Sequence, residues 1–243
     1  MNFRGAGAWF RPVPFVLAVV AAGLLLCAGS GTRFGVWPYQ TGFAVMRWSA
    51  YVGLAAGALA LIALGVPKLR GRAAAGLAVA LVAGIGVAWV PWEFLRRAQS
   101  VPPIHDISTD LENPPLFVAI LPLRAGASNT AAHGGKEIAE QQRKGYPEIR
   151  PLMLVAPPAD AFATARAAAE GMGWEIVAAD AAAGRIEATA TTPWFGFKDD
   201  IVIRFVPAGA GSRLDMRSVS RVGRNDIGVN ARRIREYFAR LAA

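Results

Sequence analysis

Three long apolar runs occupy the N-terminal part of the chain and limit what it can fold into. They lie at about residues 12–29, 48–66 and 73–92, and none of them contains a charged side chain. Each has 18 to 20 residues, the length that a helix needs to cross a hydrocarbon core of about 30 Å. A helix in a soluble core is rarely apolar on every side over such a length. The sequence therefore predicts a membrane anchor, residues 1–92, with three transmembrane helices.

The first apolar run can also be interpreted as a secretory signal peptide. It follows basic residues and ends in the small residues Ala28-Gly29-Ser30, which are typical of a cleavage site. A lipoprotein signal fits less well, because Leu26 precedes Cys27 where a small residue is expected. A retained helix is the favoured interpretation, and a cleaved signal stays open. Cys27 is the only cysteine, so the chain forms no intrachain disulfide.

The formal net charge of +9 belongs mainly to the anchor. Seven bases and no acid precede Glu93, including Arg4 and Arg11, whereas the rest of the chain has 19 bases and 17 acids. A basic balance of this size often indicates a nucleic-acid partner. Because the C-terminal part is nearly neutral, we expect no nucleic acid to bind there.

The turn between the second and third apolar runs suggests an orientation. Residues 67–72, "PKLRGR", contain three bases, and short basic loops tend to stay in the cytoplasm. The tally is close, since Arg33, Arg47, Arg96 and Arg97 fall on the opposite side. The expected arrangement places everything after the third run outside the cytoplasm. The runs contain no ionisable side chain, so we interpret them as an anchor rather than a transport path.

Residues 93–135 have little periodicity and many turn-forming residues, which predicts an extended linker. The segment is long for a loop, and "LFVAILPL" at 116–123 is apolar enough to pack. The alternative is therefore that this segment wraps over the domain that follows. A short helix is predicted at 136–144.

From residue 136 onward the pattern predicts an α+β domain. Alternating and apolar segments give strand, helix, four strands and helix, at 150–156, 157–173, 174–180, 184–192, 198–206, 212–220 and from about Asp226. Short turns join the four strands, so the sheet is predicted to be mainly antiparallel. Two amphipathic helices need one face of that sheet to cover them. The first strand, 150–156, is expected to be buried.

The adjacent acids Asp199 and Asp200 point to opposite faces of their predicted strand. Matching the apolar faces of neighbouring strands places Asp199 near Ser218 or Ser220. Asp200 then lies on the charged, non-core face of the sheet, among Arg213, Asp215, Arg217 and Arg221. We expect weak cross-strand charge pairing there. Three arginines of the strand and turn are candidates for binding an acidic ligand or a lipid headgroup: Arg217, Arg221 and Arg224.

The C-terminal helix is predicted to carry an apolar stripe and a solvated basic face. The stripe consists of Ile227, Ala231, Ile234, Phe238 and Leu241. The polar face consists of Arg232, Arg233, Glu236 and Arg240. Asn225 or Asp226 is expected to cap the start of this helix.

No motif of a known catalytic or metal site is present. His105 stands near acids in "PPIHDISTDLE", and His133 stands in "AHGGK", but neither has a recognised ligand spacing. We predict no catalytic residue, no metal and no cofactor. A hydrolase-like enzyme that uses polar residues of the sheet remains the alternative; its candidate residues are His105, Asp199, Asp200, Ser218 and Ser220.

Four stretches resemble the bacterial DUF1499 family, a domain of unknown function. They are "IHDISTDLENPP", "QQRKGYPEIRPLML", "RIEATATTPWFGFKDDIVIRF" and "RSVSRVGRNDIGVNARRIREYF", and they occur in that order over about residues 100–241. Pro193 is a small departure from the pattern. The resemblance implies a type of domain and supplies no catalytic residue. N-terminal membrane spans are compatible with this bacterial family. Together with the basic turn at 67–72, they give the bacterial inner membrane as the expected location, with the domain in the periplasm.

These features together predict a binding or scaffolding module in the cell envelope, held by a membrane anchor. The expected partners are the lipid bilayer and either an anionic lipid or an envelope protein. The candidate binding residues are the rings of a loop and the polar residues of two strands and a turn: Trp194, Phe195, Phe197, Asp199, Asp200, Arg217, Ser218, Ser220, Arg221 and Arg224.

Overall fold

The computed structural model describes residues 12–242, which form two compact units. The helical unit holds the described residues up to Arg96 together with Pro193–Gly196. The sheet unit holds Arg97–Thr192 and the residues from Phe197 onward. Arg4 and Arg11, two bases used to predict the orientation, lie outside the described residues.

Helices make up most of the helical unit: α1 Val13–Arg33, α2 Tyr39–Gly65, α3 Pro67–Arg70 and α4 Ala74–Ser100. A short 3-10 turn, Gly71–Ala73, joins α3 to α4. Three helical stretches are long and apolar enough to cross a membrane, Val13–Arg33, Tyr39–Gly65 and Pro67–Ser100, with mean hydropathies of 2.3, 1.7 and 2.2. They confirm the three apolar runs predicted from the sequence. Both α2 and α4 extend beyond their runs, because backbone hydrogen bonds continue the helix into polar sequence.

Small residues bring α2 and α4 into backbone contact. A methyl group added to Gly84 would lie 2.4 Å from the carbonyl oxygen of Gly53, and one added to Gly53 would lie 2.7 Å from that of Gly84. Both distances are shorter than a carbon–oxygen contact allows, so only glycine fits. Gly76, earlier on the same helix, has open space around it instead. The close approach of the two helices thus depends on Gly53 and Gly84.

Six strands form one antiparallel sheet in the sheet unit. They are β1 Asp106–Ser108, β2 Leu152–Leu154, β3 Glu175–Asp180, β4 Arg185–Thr191, β5 Lys198–Ala208 and β6 Gly211–Ser220. The order is β1-β6-β5-β4-β3, and β2 also pairs with β6. The predicted succession of strand, helix, four strands and helix is confirmed. The additional strand, β1, comes from the segment predicted to be a linker.

The edge strand β2 is shorter and more exposed than its sequence suggested. It pairs with β6 alone, through Leu152 opposite Leu214. Met153 is 62% exposed and Val155 is 96% exposed. The expectation of a buried strand over 150–156 was wrong, because only Leu152 and Leu154 of β2 pack against the core, while the side chains that alternate with them are exposed.

Three helices complete the sheet unit: α5 Gly135–Gly145, α6 Pro158–Gly171 and α7 Val229–Leu241. Apolar residues of α6 and α7 share one core with the strands, including Phe162, Ala165, Ile201, Ile234 and Tyr237. The prediction of helices packed on one face of the sheet is confirmed.

The helix α7 starts later than predicted, at Val229, after Gly228 in a left-handed conformation with φ of 78°. Asp226 still caps it, since its carboxylate accepts hydrogen bonds from the backbone N–H groups of Gly228 at 2.9 Å and Asn230 at 2.7 Å. Burial raises the pKa of Asp226, and these two N–H donors partly offset that effect.

The second face of the sheet is covered as well. Phe117 and Ile120 pack there against Val202 and Val219, in a small core separate from the first. The segment around them thus wraps over the domain, which was the alternative to a linker. This cover bears directly on the predicted binding residues, because several of them lie on the covered face.

Candidate functional site

The aromatic residues of the predicted binding loop are packed inside the helical unit. The indole of Trp194 fills the space that a side chain at Gly29 would need. The ring of Phe195 lies close to Gly42, 3.0 Å from where a methyl group would be. Phe43 lies against Phe195, with ring centroids 5.1 Å apart and the rings tilted by 49°. Phe197 belongs to the sheet unit and is half-buried.

Asp199, Ser218 and Ser220 lie in a buried polar cluster beneath α7. Asp199 pairs opposite Ser220, as predicted, and its carboxylate accepts a 2.5 Å hydrogen bond from Arg233. Arg233 also donates to the hydroxyl of Ser218 at 2.9 Å, and Asn230 donates to that of Ser220 at 3.0 Å. The expectation that Arg233 faces solvent was wrong, because it supplies the counter-charge to Asp199.

Asp200 lies in a second buried cluster, on the other face of the sheet. Arg221 binds both of its carboxylate oxygens at 2.8 Å. Arg124 donates to it at 2.5 Å and Thr189 at 2.8 Å. The predicted approach of Asp200 to Arg221 is confirmed. Arg124 comes from the covering segment, 76 residues from Asp200, and no local sequence pattern indicates this contact.

Arg217 has no exposed surface. It binds both carboxylate oxygens of Asp106, at 2.9 and 2.7 Å, and donates to the carbonyl of Ala131 at 2.9 Å. The ring of Phe117 lies over its guanidinium, 5.3 Å from the carbon to the centroid. The expectation of weak, open cross-strand pairing on this face was wrong, because the covering segment makes the pairing a buried one.

Arg224 is the one exposed member of the three candidate arginines of the strand and turn. The guanidiniums of Arg217 and Arg221 are held by internal carboxylates. Binding of a ligand by any of the ten residues selected from the sequence stays a prediction. The internal bonds mean that a ligand would have to displace existing partners at most of them.

The residues of the enzyme alternative do not form one group, because Asp200 lies on the other face of the sheet from Asp199, Ser218 and Ser220. The backbone carbonyl of His105 accepts from the N–H of Ser220 at 3.0 Å. Asp199 and Ser220 are held by Arg233 and Asn230. The carboxylate of Asp199 is thus paired with Arg233, and the pocket described below is lined by none of these residues.

His133 is half-buried, and its pKa is lowered from the ordinary value. Burial lowers its pKa most, the charge of Asp106 opposes this, and that of Arg217 adds to it. Its Nδ1 accepts from the N–H of Gly135 at 3.1 Å, which leaves the proton on Nε2. Among residues 12–242, no three or more His, Cys, Asp or Glu side chains group as metal ligands do.

A pocket of about 470 Å³ opens on the sheet unit, away from these clusters. Its walls come almost entirely from two short stretches, 109–112 and 143–151, with Arg213 from β6. The apolar part of the lining is Leu111, Tyr146, Pro147, Ile149 and Pro151, and the charged part is Asp110, Glu112, Arg143, Arg150 and Arg213. Volume and mixed lining are typical of a small-molecule site.

The two acids of the pocket are already paired. Asp110 binds Arg213 at 2.7 Å and Arg204 at 3.1 Å, and both arginines also bind Asp215. Glu112 pairs with Arg143. Burial alone would raise the pKa of Asp110, but the N–H groups of Asn113 and Glu112 and the charges of Arg213 and Arg204 outweigh it, so that the pKa is lowered.

Arg150 supplies the excess positive charge of this lining. Its Nε donates to the carbonyl of Pro147 at 3.1 Å. Its two terminal nitrogens have no carboxylate partner within residues 12–242. Three arginines against two acids leave the lining with one net positive charge. The arrangement can therefore bind an anion by a charge-assisted hydrogen bond, beside apolar walls.

Tyr146 forms part of the apolar wall and stays a neutral phenol. Burial raises its pKa to about 12, with the charges of Asp226 and Glu148 adding and that of Arg235 opposing. The guanidinium of Arg235 lies 5.5 Å from the ring centroid. The apolar wall thus has a cation–π contact with Arg235.

Sequence reasoning did not find this pocket. It noted Asp110 and Glu112 only as neighbours of His105. Arg213 is 103 residues from Asp110, and no local pattern indicates that separation. The one available sign was the stretch "RKGYPEIRP", which holds two arginines between proline and glycine residues in a region without a repeating pattern.

The fold and the site define a class: an antiparallel α+β domain that follows three apolar helices and carries an open pocket with three arginines in its lining. A protein-family model described as "Protein of unknown function (DUF1499)" matches residues 106–241. The chain belongs to the DUF1499 family, as the four sequence stretches indicated. A search of curated proteins gives no match. The matched region begins at the first residue of β1 and ends at the last residue of α7.

Proposed function

We propose that the protein is a multi-pass protein of the bacterial plasma membrane that carries a DUF1499 domain as a binding module. Three helices have the length and hydropathy to cross a bilayer. The basic turn at 67–72 favours a cytoplasmic position for that turn. The DUF1499 domain then lies outside the cytoplasm, in the cell envelope, and the bilayer is the first partner of the protein.

The pocket beside Arg150 is the observation that carries the binding role. Its lining combines one excess positive charge with five apolar side chains. We propose a ligand with a carboxylate or phosphate group on an apolar body, held by Arg150 and covering Ile149 and Tyr146. An anionic lipid headgroup and the acidic group of an envelope protein share this chemistry. The nearly balanced charge of the C-terminal part makes nucleic acid a poor partner.

The magnitude of the Arg150 contact can be bounded. A hydrogen bond to a charged group contributes about 1.5–3 kcal/mol. Its loss should therefore weaken binding by about tenfold or more, since about 1.4 kcal/mol is a factor of ten. The acids Asp110 and Glu112 impose specificity, because an anion must approach on the side of Arg150 to avoid them.

The test uses the full-length protein in a neutral detergent and three soluble probes: benzoate, phenyl phosphate and benzyl alcohol. Saturation-transfer NMR should detect the two anions on the wild-type protein and detect the neutral alcohol weakly or not at all. Arg150→Ala should remove at least nine-tenths of the anion affinity. Arg224→Ala is the matched control, since Arg224 is also exposed but lies outside the pocket lining.

Two results would contradict the proposal. Equal binding of benzoate and benzyl alcohol would mean that the charge of Arg150 plays no part. An equal effect of the Arg150 and Arg224 variants would mean that the anions bind the basic surface without using the pocket.

A further inference from the structure

The segment that covers the second face of the sheet has an outward side of its own. Residues 116–123, which we call the apolar segment, bury Phe117 and Ile120 against the sheet. The side chains between and beside them point outward and are aliphatic: Leu116 is 70% exposed, Val118 51%, Leu121 47% and Leu123 52%. A cluster of four exposed aliphatic side chains within eight residues is unusual for a surface that faces only water.

The backbone of the apolar segment is fixed. The buried carboxylate of Glu187 accepts hydrogen bonds from three successive N–H groups, those of Val118 at 3.0 Å, Ala119 at 3.1 Å and Ile120 at 3.0 Å. Arg221 donates to the carbonyl of Leu123 at 3.0 Å. The exposed leucines are therefore held outward by the fold, and a surface that binds them incurs little additional cost for ordering the segment.

The apolar segment reaches one particular end of the sheet. Leu123 contacts Arg221, which follows the last residue of β6. At this same end β1 and β5 begin and β4 ends, because Asp106 pairs opposite Val219 and Thr191 opposite Lys198. The chain enters this end of the sheet at β1, after residues 101–105, and again at β5, soon after Pro193–Gly196, which belong to the helical unit.

We propose that the apolar segment binds the interfacial layer of the lipid bilayer, with Leu121 and Leu123 in contact with lipid. This proposal rests on the membrane placement proposed above and is independent of the pocket. It names a membrane contact in the sheet unit, beyond the helices that anchor the chain.

The size of the patch favours a bilayer over a protein partner. A stable protein interface uses about 20–30 residues on each side, and four aliphatic side chains are too few to form one. A bilayer needs no such area, because the domain is covalently tethered to helices that cross it. Tethering makes the second contact effectively intramolecular, so that a small gain in burial is enough to populate it.

The nearby charges determine the kind of lipid contact. Arg124 and Arg221 are the bases beside the apolar segment, and both are bonded to Asp200. The two guanidiniums share this one carboxylate, and only 4% of the Arg124 side chain and 15% of the Arg221 side chain are exposed, so little of their charge faces outward. The contact should thus depend on apolar burial rather than on anionic lipid, and salt should leave it unchanged.

The experiment measures the depth of spin labels in full-length protein reconstituted into phosphatidylcholine vesicles. Cys27 is first replaced with alanine, and single cysteines are then introduced as Leu121→Cys, Leu123→Cys or Met153→Cys and labelled with a nitroxide. Met153 is the matched control, since it is an exposed apolar residue on the edge strand β2. A label at Leu54→Cys, an exposed position of α2, reports whether the helices are in lipid.

The expected result is that labels at Leu121 and Leu123 collide several-fold more with oxygen, relative to a water-soluble nickel chelate, than the label at Met153. The ratio should persist at high salt and should not rise when anionic lipid is added. Equal ratios at Leu121 and Met153 would overturn the inference, and so would protection from both reagents, which would indicate a protein partner or a second copy. If the label at Leu54 is also in water, the membrane placement itself is wrong.

Each labelled variant is checked for folding by its urea midpoint. Leu121→Ser and Leu123→Ser should fold as the wild type does, because both side chains point outward, while releasing a label at Leu116→Cys into water. Arg150→Ala should leave the label depths unchanged, which separates this surface from the pocket.

Discussion

Replacing Arg217 with methionine in the full-length protein removes the counter-charge of a buried carboxylate. Arg217 is fully buried and binds both oxygens of Asp106. The variant leaves Asp106 in the interior without a cation, and the carbonyl of Ala131 without its donor. The sheet unit should therefore lose much of its stability, although the replaced side chain is similar in length.

The size of the loss follows from the burial of the pair. Breaking a buried ion pair on one side costs about 3–5 kcal/mol. Replacing both partners by apolar residues is often close to neutral, since no charge stays unpaired. The double variant Asp106→Leu with Arg217→Met should therefore recover more than half of the loss. Arg166→Met is the control, because Arg166 pairs with Glu170 on an exposed helix face, where a pair contributes at most about 0.5 kcal/mol.

The assay is urea-dependent pulse proteolysis of the full-length protein in neutral detergent, which reports the unfolding of the sheet unit through its cleavage. A loss below about 1 kcal/mol for Arg217→Met would refute the reasoning, because it is the value of a solvated pair. Additive effects of the two single substitutions would also refute it, since buried partners must show coupling.

The remaining predictions concern pH, helix packing and orientation. The pKa of Asp110 is lowered in the fold from 3.8, so its contribution to stability is present above that pH and is lost as the pH falls through the folded value. The difference in urea midpoint between the wild type and Asp110→Asn should thus be constant from neutral pH to about pH 5 and should shrink at lower pH. A difference that stays constant down to about pH 3 would contradict the lowered pKa of Asp110. Gly84→Val should lower the thermal stability of the detergent-solubilised protein by about 1–3 kcal/mol, because its Cβ would lie 2.4 Å from the carbonyl oxygen of Gly53. Gly76→Val is the control, since Gly76 has open space around it and the substitution should leave the thermal stability unchanged. Alkaline phosphatase fused after Leu241 should be active and green fluorescent protein fused there should be dark; the reverse pattern would invert the proposed topology.

The strands and their faces could be predicted from the sequence because side chains alternate along a strand. Asp199 and Asp200 were assigned to opposite faces, and they lie in two separate clusters beside Ser220 and Arg221. Alternation is a local property, so it survives without knowledge of the rest of the chain.

Burial of the second face could not be predicted, because it depends on contacts between distant parts of the chain. Asp106 is 111 residues from Arg217, and Arg124 is 76 residues from Asp200. The segment that supplies Asp106 and Arg124 has no period that indicates packing. The same reason explains Arg233, which was assigned to solvent because its buried partner, Asp199, comes from another element.

The pocket combines residues from three elements and depends on a charge balance that a sequence does not display. Glu112 and Arg143 are 31 residues apart, yet they neutralise each other in the lining. Only the folded arrangement shows that Arg150 remains as the excess charge.

The central claim, that the DUF1499 domain binds an anionic ligand in the pocket beside Arg150, can be tested directly by photolabelling. The full-length protein is irradiated with 4-azidobenzoate, and the modified peptides are identified by mass spectrometry. The adduct should map to residues 109–112 or 143–151, should disappear with excess benzoate, and should be lost in Arg150→Ala while Arg224→Ala retains it. An adduct that forms elsewhere, or one that survives in Arg150→Ala, would contradict the account.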